Sequence, residues 1–382
     1  MKHVHPSEAI KEKKSDKLKG KKILLAITGG IAGIECVKLA RELIRHGAEV
    51  TAIMSNEACK ILSPIAMEFA TGNEVITELS GKVEHVSHDA DIFLVAPCTA
   101  NTLSKISLGI ADNTITTFAV AFRNKIMIVP SMHLSMYKNS FVQQNIRRCE
   151  DKGIIIVPPR VEENKAKMAD IETIVEEVIR CTRADKEGKK ILIIGGATYE
   201  AIDDVRAITN FSSGKMAMAL AKEAYERGME VMAWASFEMP GYIKTKNFRS
   251  IKDLIKLIEK EKGRYDVAIN CAAISDFTVE KKKGKIETGK EISLRLYPAP
   301  RINPMLRKIA KVVIAFKLEE ENKVISKVGE LLRKDNVDYV VANTLESIGS
   351  NEAKIWIVGK EGVIKEAEGK KEEIAKEIID LV

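Results

Sequence analysis

The chain carries the stretch KKILLAITGG at residues 21–30 and a close copy of it, KKILIIGGAT, at residues 189–198. Each stretch is followed by a helical segment that ends at a glycine, Gly47 or Gly228, and then by a second apolar run. The strings that contain this glycine and the run are RHGAEVTAIMS at 45–55 and ERGMEVMAWAS at 226–236. Continuous apolar strands that alternate with helices are typical of parallel sheets covered on both faces. The repeat therefore predicts an α/β fold with two tandem, doubly wound, Rossmann-like domains whose sheets are mostly parallel.

The positions of the two copies divide the chain into four predicted segments. Residues 1–20 form a basic N-terminal extension, which we expect to be frayed or a loose helix. Residues 21–183 form the first domain, residues 184–190 (ADKEGKK) a linker, and residues 191–382 the second domain. Within the first domain, the pattern also predicts one helix over 135–148.

Composition excludes several classes of protein. Of the 382 residues 45% are hydrophobic and 30% charged, so the chain can bury two cores. The formal charge is +7, but only 5% of residues are aromatic, so we expect no nucleic-acid binding. No apolar run reaches the ~18–20 residues of a membrane helix, and the charged N-terminus is not a secretory signal. We therefore expect a cytoplasmic protein that binds no membrane, with six scattered cysteines as reduced thiols.

Ligands of doubly wound sheets bind at the carboxyl ends of the strands, so the loops there are informative. The first strand ends in TGGIAG (28–33), which lacks the first glycine of GxGxxG, and the second ends in MSN (54–56), without an acidic residue. Both departures disfavour a dinucleotide, although a helix start can hold one phosphate, and a plain tight turn is the alternative. The third strand ends in APCTANTLSKI (96–106), where an ordinary helix capped by Thr99 is the alternative to a ligand loop.

Two strings and one histidine of the first domain resemble features of the homo-oligomeric flavin-containing cysteine decarboxylases. APCTANT (96–102) is similar to that family's PASANT motif, and IMIVPSMHLSMY (126–137) is similar to its PAMNxxMY motif. His85 stands where the family has its active-site histidine, so the resemblance implies that His85 assists proton transfer and that FMN is the cofactor. The residues implied in FMN binding are Gly30, Ile31, Ala32, Ser55, Pro97, Cys98, Thr99, Asn101 and Thr102.

The first domain departs from this family at two places. His133 replaces the asparagine that binds the substrate carboxylate in the family; a histidine can also donate a hydrogen bond to a carboxylate. The substrate flap, residues 158–168 here, lacks the family's proton-donating cysteine, and no other residue is assigned that role. Arg160, Lys165 and Lys167 of the flap are expected to bind anionic substrate, with a solvated loop as the alternative.

The second domain carries polar loops of a different kind. ITNFSSGKM (208–216) places an asparagine, two serines and a glycine before a helix, which predicts an anion-binding turn near Lys215. The alternative is a polar crossover in which Ser213 only caps the helix. NCAAISDF (270–277) follows another strand, and a lysine-rich run at 281–285 is either a phosphate clamp or a solvated surface.

These strings resemble the phosphopantothenate–cysteine ligase signature, which implies CTP with Mg²⁺ as the activating nucleotide. By position, Asn210 hydrogen-bonds an acyl intermediate, Arg206 lies nearby and Lys285 clamps phosphate, while no metal ligand is assigned. The family usually has a second lysine one turn before Lys334, where this chain has Glu330-Leu331. The implied nucleotide-binding residues are Asn270, Cys271, Ala272, Asp276, Lys285, Ala299, Pro300, Arg301, Ile302, Phe316 and Lys334. The implied substrate-binding residues are Ser212, Ser213, Gly214 and Lys215.

The order of the two domains resembles the bifunctional coenzyme A biosynthesis proteins, most of all their archaeal branch. The resemblance implies that 4′-phosphopantothenate is coupled to cysteine through an acyl-cytidylate and that the product is decarboxylated to 4′-phosphopantetheine. It also implies a homo-oligomer of flavin-domain trimers joined by ligase-domain dimers. Preference for CTP over ATP stays open. So do two alternatives: a ligase with an idle flavin domain, and a flavin-binding regulatory subunit.

Overall fold

The chain folds as two units, which divide between Arg183 and Ala184. Each unit has its own mainly parallel sheet, which confirms the predicted α/β fold with two tandem domains. The structure is a computed structural model that describes residues 5–81, 89–287, 289, 291–319 and 324–382.

The first unit contains a parallel sheet and a small antiparallel one. Its strands are β1 (Lys22–Ile27), β2 (Glu49–Met54), β3 (Ile92–Cys98), β4 (Lys125–Pro130), β5 (Met132–His133), β6 (Ile155–Ile156), β7 (Arg160–Glu162) and β8 (Lys165–Lys167). The parallel sheet has the order β2-β1-β3-β4-β6, and the antiparallel sheet has the order β5-β8-β7. Within the parallel sheet, Ile23 pairs with Val50 on one side and with Ile92 on the other.

Helices cover both faces of the first parallel sheet. They are α1 (Cys36–Arg45), α2 (Asn56–Cys59), α3 (Pro64–Thr71), α4 (Ala100–Leu108), α5 (Thr114–Ala121), α6 (Leu134–Tyr137), α7 (Ser140–Asp151) and α8 (Ile171–Arg183). Alternate residues of β1 enter two separate cores: Leu25 packs in a cluster with Leu39 of α1, and Leu24 packs in another with Leu103 of α4. This alternation places helices on both sides, as the apolar strands predict.

The prediction of one helix over 135–148 is wrong, because the chain breaks between α6 and α7. The break lies at Asn139, whose side-chain oxygen accepts a hydrogen bond from the backbone N–H of Phe141 at 2.9 Å. An asparagine at this position starts a new helix by capping it, which apolar periodicity does not reveal.

The prediction that the N-terminal extension is loose is also wrong for residues 5–20. Leu18 is fully buried among the core residues around α1. The backbone N–H of Lys14 donates to the carbonyl of Arg45 at 2.9 Å, and that of Leu18 donates to the carbonyl of His46 at 2.8 Å. The segment thus satisfies carbonyls that the end of α1 leaves without helical partners. The turn there needs a glycine, since a Cβ on Gly47 would lie 2.9 Å from a backbone nitrogen of Lys19.

The second unit contains a larger sheet and two short hairpins. Its strands are β9 (Lys190–Gly195), β10 (Tyr199–Ala201), β11 (Ala207–Thr209), β12 (Glu230–Ala235), β13 (Lys244–Asn247), β14 (Tyr265–Asn270), β15 (Phe277–Val279), β16 (Leu296–Pro298), β17 (Ala310–Leu318), β18 (Tyr339–Asn343), β19 (Glu352–Gly359) and β20 (Gly362–Lys370). The large sheet has the order β13-β12-β9-β14-β17-β18-β19-β20, in which β19 runs antiparallel to both of its neighbours, β18 and β20. The sequence pattern does not predict β20, because it is an edge strand whose residues are mostly exposed and lack a continuous apolar run.

Helices also cover both faces of the second sheet. They are α9 (Lys215–Glu226), α10 (Ile251–Lys260), α11 (Asn303–Leu306), α12 (Val324–Lys334) and α13 (Lys371–Asp380). Ile193 of β9 packs in the core that contains Ile378 of α13, and Leu192 packs in the opposite core with Leu254 of α10. No helix in the described ranges combines the length and the apolar character that a membrane span requires.

We expect Leu18→Ala to lower the free energy of unfolding of the first unit by about 2–5 kcal/mol, because it leaves a cavity in a packed core. Leu108→Ala is the matched control, since the Leu108 side chain is 57% exposed and its removal should cost less than about 0.5 kcal/mol. Denaturant unfolding followed by circular dichroism measures both. Equal effects of the two substitutions would contradict the anchoring role of the N-terminal segment.

Candidate functional sites

The carboxyl ends of β1, β2 and β3 meet at one edge of the first sheet, and two cavities open there. Cavity A has a volume of about 800 Å³ and cavity B about 830 Å³; Gly29 and Thr99 line both of them. Volumes of this size suit a nucleotide-sized ligand. The polar lining of cavity A includes short side chains, among them Ser55, Asn101 and Thr102. It also includes four charged ones, Glu57, Glu78, Lys105 and Asp112.

A chain of hydrogen bonds joins the loops after β1 and β3. The hydroxyl of Thr28 donates to the carbonyl of Pro97 at 2.7 Å and accepts from the N–H of Thr99 at 3.1 Å. Thr99 in turn accepts a hydrogen bond from the N–H of Thr102 and caps α4. The capped helix was the alternative to a ligand loop, but Thr99 also lines both cavities, so the cap does not exclude a ligand. Gly29 is required beside them, because a Cβ there would lie 2.4 Å from the Cβ of Glu57.

The structure divides the predicted FMN-binding residues between the two cavities. Ser55, Asn101 and Thr102 line cavity A, whereas Gly30–Ala32 line cavity B with His133. Cys98 lines neither of them. Its side chain is fully buried in the core, and burial raises the pKa of its thiol, so any contact with a ligand must use its backbone.

Pro97 lines neither cavity, but it lies next to Gly30, which lines cavity B. A Cβ on Gly30 would lie 3.7 Å from the Cγ of Pro97, an ordinary contact distance. His85 lies outside the described residues, so its predicted role in proton transfer stays a prediction.

The predicted flap, residues 158–168, forms the β7–β8 hairpin over cavity B. Its turn, Glu163-Asn164, has φ values of 49° and 60°, which is typical of a tight two-residue hairpin turn. Strand β8 pairs with β5, and this pairing sets His133 opposite Lys165. Both residues line cavity B, so the flap brings a cation next to the histidine that replaces the family's asparagine.

The other flap cations are partly neutralised. Lys167 donates to Glu162 and Glu163, both at 3.1 Å, and these hydrogen bonds raise the pKa of the Lys167 ammonium. Cys149 of α7 cannot take the place of the missing flap cysteine. It is buried in the core beside the sheet and lines neither cavity A nor cavity B, so its thiol cannot reach a substrate there.

In the second unit, cavity C opens at the carboxyl ends of β14 and β17, with a volume of about 580 Å³. Asn210 lies at its edge and donates through Nδ2 to the carbonyl of Ile274 at 3.1 Å. Most of the predicted nucleotide-binding residues share this lining: Asn270, Ala272, Asp276, Ala299, Pro300, Arg301, Ile302 and Phe316.

A hydrogen-bonded network forms one wall of cavity C. Asn270 donates to Asn303 at 2.7 Å, and Asn303 donates to Asp335 at 3.0 Å. The Nε of Arg301 lies 2.8 Å from the other oxygen of Asp335, a residue that is only 2% exposed. The buried carboxylate thus holds Arg301 in place. Our sequence reasoning missed Asn303 and Asp335, although they directly follow the predicted residues Ile302 and Lys334.

The lysines of cavity C differ from the prediction. Lys334 does not line the cavity; Leu331, which stands where the family usually has a lysine, does. Lys317 lines it as well and was not predicted. It follows Phe316 at the carboxyl end of β17, which is the signal that could have indicated it.

The predicted phosphate clamp at Lys285 lies outside the lining of cavity C, as does Arg206. The lysine-rich segment docks instead on the turn after β10. There Asp203 accepts hydrogen bonds from the N–H groups of Ile286 at 3.1 Å and Arg206 at 2.6 Å, and Asp204 accepts one from the N–H of Gly284 at 2.8 Å.

The start of α9 borders two smaller cavities. Cavity D (about 150 Å³) and cavity E (about 260 Å³) share the lining residues Ser213, Gly214, Lys215 and Lys371, and Ser212 and Cys271 line cavity D. Burial raises the pKa of Cys271 to about 12, so its thiol stays protonated. The alternative that Ser213 caps the helix is wrong: Gly214 is the N-cap residue, with φ of 70°. A Cβ there would lie 2.5 Å from the ring of Phe237, so this turn requires glycine.

Within the described residues, no group of three histidine, cysteine, aspartate or glutamate side chains is arranged to hold a metal ion. A magnesium ion that arrives with a nucleotide needs no such group, because it binds mainly to phosphate oxygens and water.

Comparison with known proteins covers the whole chain. Residues 11–183 match the Flavoprotein family, and residues 186–382 match the DNA/pantothenate metabolism flavoprotein C-terminal domain. The chain is 44% identical over 396 residues to the coenzyme A biosynthesis bifunctional protein CoaBC of Thermococcus kodakarensis, covering 99% of this chain and 98% of that protein. It is 41% identical over 396 residues to the protein of the same name from Methanocaldococcus jannaschii, covering 99% and 97%.

Solved structures resemble one unit at a time. The C-terminal domain of a coenzyme A biosynthesis bifunctional protein CoaBC is 29% identical, with a TM-score of 0.41, and the match covers 51% of this chain and 94% of that domain. The FMN-dependent cysteine decarboxylase SpaF is 25% identical, with a TM-score of 0.40, and the match covers 43% of this chain and 99% of that one.

We expect Asp203→Asn to release the lysine-rich segment 281–286. Burial opposes ionisation of Asp203, but hydrogen bonds from the N–H groups of Val205, Ile286 and Arg206 outweigh it and hold the pKa of this carboxyl below the usual 3.8. The carboxylate therefore holds the segment fully above pH 3.8 and loses it as the pH falls below that value. Limited trypsin digestion at neutral pH should cut after Lys281–Lys285 faster in the variant.

Glu280→Gln is the matched control, because Glu280 is an exposed acid in the same segment. Its cleavage rate should equal that of the unchanged protein. Equal cleavage of the Asp203→Asn variant and this control would show that the carboxylate does not hold the segment.

Proposed function

The chain belongs to the family of coenzyme A biosynthesis bifunctional proteins, and on this premise we propose which reaction each unit performs. The second unit joins 4′-phosphopantothenate to cysteine, and the first unit decarboxylates the resulting 4′-phosphopantothenoylcysteine. The observation that carries the assignment is that each sheet has its own cavities at the carboxyl ends of its strands, lined by different motif residues.

Ligation requires that the substrate carboxylate be activated, because a carboxylate is a poor electrophile. In the proposed reaction, a carboxylate oxygen attacks the α-phosphorus of CTP and the bond to pyrophosphate breaks, which gives an acyl-cytidylate. The amine of cysteine then attacks the acyl carbon, and the C–O bond to CMP breaks. Magnesium supplies charge compensation for the triphosphate when it is bound.

Cavities C and D support this reaction through their shared wall. Phe211, Ala272 and Phe316 line both cavities, so a nucleotide in C and an acid in D meet there. Arg301 and Lys317 place cationic groups at cavity C for the phosphates. Arg301 is paired with Asp335, and the Nζ of Lys317 lies 3.2 Å from a carboxylate oxygen of Glu319. Asn210 stands at the edge of C, where its amide can donate to the acyl oxygen that gains negative charge during the attack.

The loops at cavities A and B of the first unit have the features that FMN binding requires. The loops at cavities A and B present a required glycine, Gly29, and short polar side chains, which let a flat ring and a phosphate approach the backbone. Ser55, Thr99, Asn101 and Thr102 would hold the group from cavity A, and Gly30–Ala32 from cavity B. When bound, FMN supplies the electron acceptor that decarboxylation of a thiol-bearing substrate needs.

The residues of cavity B bind and orient the substrate. His133 donates a hydrogen bond to the carboxylate that is lost as CO₂, and Lys165, opposite it in the β5–β8 pair, adds positive charge. The β7–β8 hairpin forms part of the wall of the same cavity through Arg160, Lys165 and Lys167. The proton donor is not assigned, since the flap has no cysteine and Cys149 is enclosed in the core.

We also propose a cytoplasmic homo-oligomer, with trimers formed by the first unit and dimers by the second. Large apolar side chains at the surface support self-association: Ile65 is 74% exposed, Phe141 73% and Phe211 88%. Sedimentation of the purified chain measures its mass.

The nucleotide requirement tests the ligase. We expect pyrophosphate release only when 4′-phosphopantothenate and a nucleotide are both present, with CTP more effective than ATP. Addition of cysteine should yield 4′-phosphopantothenoylcysteine, identified by its mass. Absence of this product with every nucleotide would contradict the proposed ligase, and equal rates with CTP and ATP would contradict the preference for CTP.

Two substitutions should separate the two reactions. Asn210→Ala should lower kcat of ligation about 100- to 1,000-fold through loss of a donor to the developing charge. His133→Ala should lower kcat/KM of decarboxylation about 10- to 100-fold through loss of one charge-assisted hydrogen bond, and His133→Asn should recover part of it. Each variant is the control for the other, because it should leave the other reaction unchanged.

The decarboxylation is measured with supplied 4′-phosphopantothenoylcysteine, so that it does not depend on the ligase. If the unchanged protein releases no CO₂ from this substrate, the first unit is catalytically idle and the proposal for it fails.

A further inference from the structure

Lys371 is a buried lysine that the proposed mechanism does not use. It is the first residue of α13 and is only 7% exposed. Its ammonium donates to the carbonyls of Ser347 at 3.1 Å and Ser350 at 2.7 Å. Lysines are rarely so buried without a paired charge. An ammonium has three N–H donors, so these two carbonyls do not exhaust it.

A second ammonium lies close by. Lys215, the first residue of α9, donates to the carbonyl of Gly349 at 2.9 Å and to the side-chain oxygen of Asn351 at 2.7 Å. The two lysines therefore converge on one turn, residues 347–351. Burial lowers the pKa of Lys371, and repulsion from Lys215 lowers it further. An anion bound between them would relieve both effects.

The cavities at these lysines are suited to an anion. Lys215 and Lys371 line both cavity D and cavity E. Among the residues that the structure describes, Glu372 supplies the only carboxylate in either lining; it lies in cavity E and is exposed. Ser213 and Gly214 stand beside the lysines and can donate through a hydroxyl and through backbone N–H groups. Phosphates favour such a combination of donors.

The reaction sets the direction in which the substrate must lie. Its carboxylate has to meet the nucleotide at the wall that cavities C and D share, near Ala272 and Phe316. The rest of the molecule then extends through cavity D toward Lys215 and Lys371. The far end of 4′-phosphopantothenate is a phosphate monoester.

We propose that Lys371, together with Lys215, binds the phosphate monoester of the acid substrate and thereby aligns the opposite end, the carboxylate, with the nucleotide. This inference rests on the proposed ligase activity of the second unit. A merely structural role, in which both lysines only fasten the 347–351 turn, predicts a different result in each test below.

The first test is steady-state kinetics of ligation. Lys371→Met should raise KM for 4′-phosphopantothenate about 10- to 100-fold, as expected for loss of one charge-assisted hydrogen bond, while KM for CTP stays within about twofold. Lys371→Arg should recover part of the affinity. Lys376→Met, an exposed lysine of the same helix, is the matched control and should behave as the unchanged enzyme. An unchanged KM for the acid, or an equal rise of KM for CTP, would overturn the inference.

The second test needs no substitution, so it does not depend on the folding of a variant. Acetic anhydride labels lysines of the native enzyme, and mass spectrometry measures the label on each peptide. 4′-Phosphopantothenate should protect Lys371 and Lys215 but not Lys376, and pantothenate, which lacks the phosphate, should protect none of them. Equal protection by both compounds would overturn the inference.

The two proposals fail in different ways. If the native enzyme forms no 4′-phosphopantothenoylcysteine with any nucleotide, the ligase assignment fails, whatever the labelling shows. If the native enzyme is active but the lysines respond neither in KM nor in labelling, only the phosphate site is overturned.

Discussion

Parallel pairing of strands brings all their carboxyl ends to one edge of a sheet, and it obliges the chain to return along a helix on a sheet face. Each strand end at that edge is therefore followed by a loop and a helix start, which present backbone N–H groups and short polar side chains. In the first unit these loops surround cavities A and B, and in the second unit they surround cavities C and D. Parallel strand pairing thus supports two different reactions in one chain, because the loops at the strand ends carry different residues in the two units.

Buried carboxylates keep the basic residues of the second unit in place. Asp203 holds the lysine-rich segment through backbone N–H groups, and Asp335 holds Arg301 at the wall of cavity C. A carboxylate that is this enclosed is stable only when several donors surround it. The positive charge of Arg301 at cavity C is therefore positioned before any ligand arrives, which lowers the entropy lost on binding.

Much of the fold and part of the site could be predicted, because they depend on residues that are neighbours in the sequence. The apolar strands predict the sheets, and the cap at Thr99 depends on residues only three positions apart. Asp335 and Lys371 could not be predicted in this way, since each contacts residues that lie far away in the chain. The prediction for the N-terminal segment was wrong for a related reason. Its buried residue Leu18 stands among charged residues, so the segment shows no periodic pattern of apolar residues.

The place of α13 after every described strand of the second unit has a consequence for synthesis. Ile374 and Ile378 of this helix are buried in the same core as Ile193 of the first strand of the second unit. A ribosome therefore releases the first unit early enough for it to fold during translation, but the core of the second unit can close only once residues 371–380 have emerged. A premature stop codon just before position 371 would remove the helix and with it a face of that core, although every described strand of the sheet had been made.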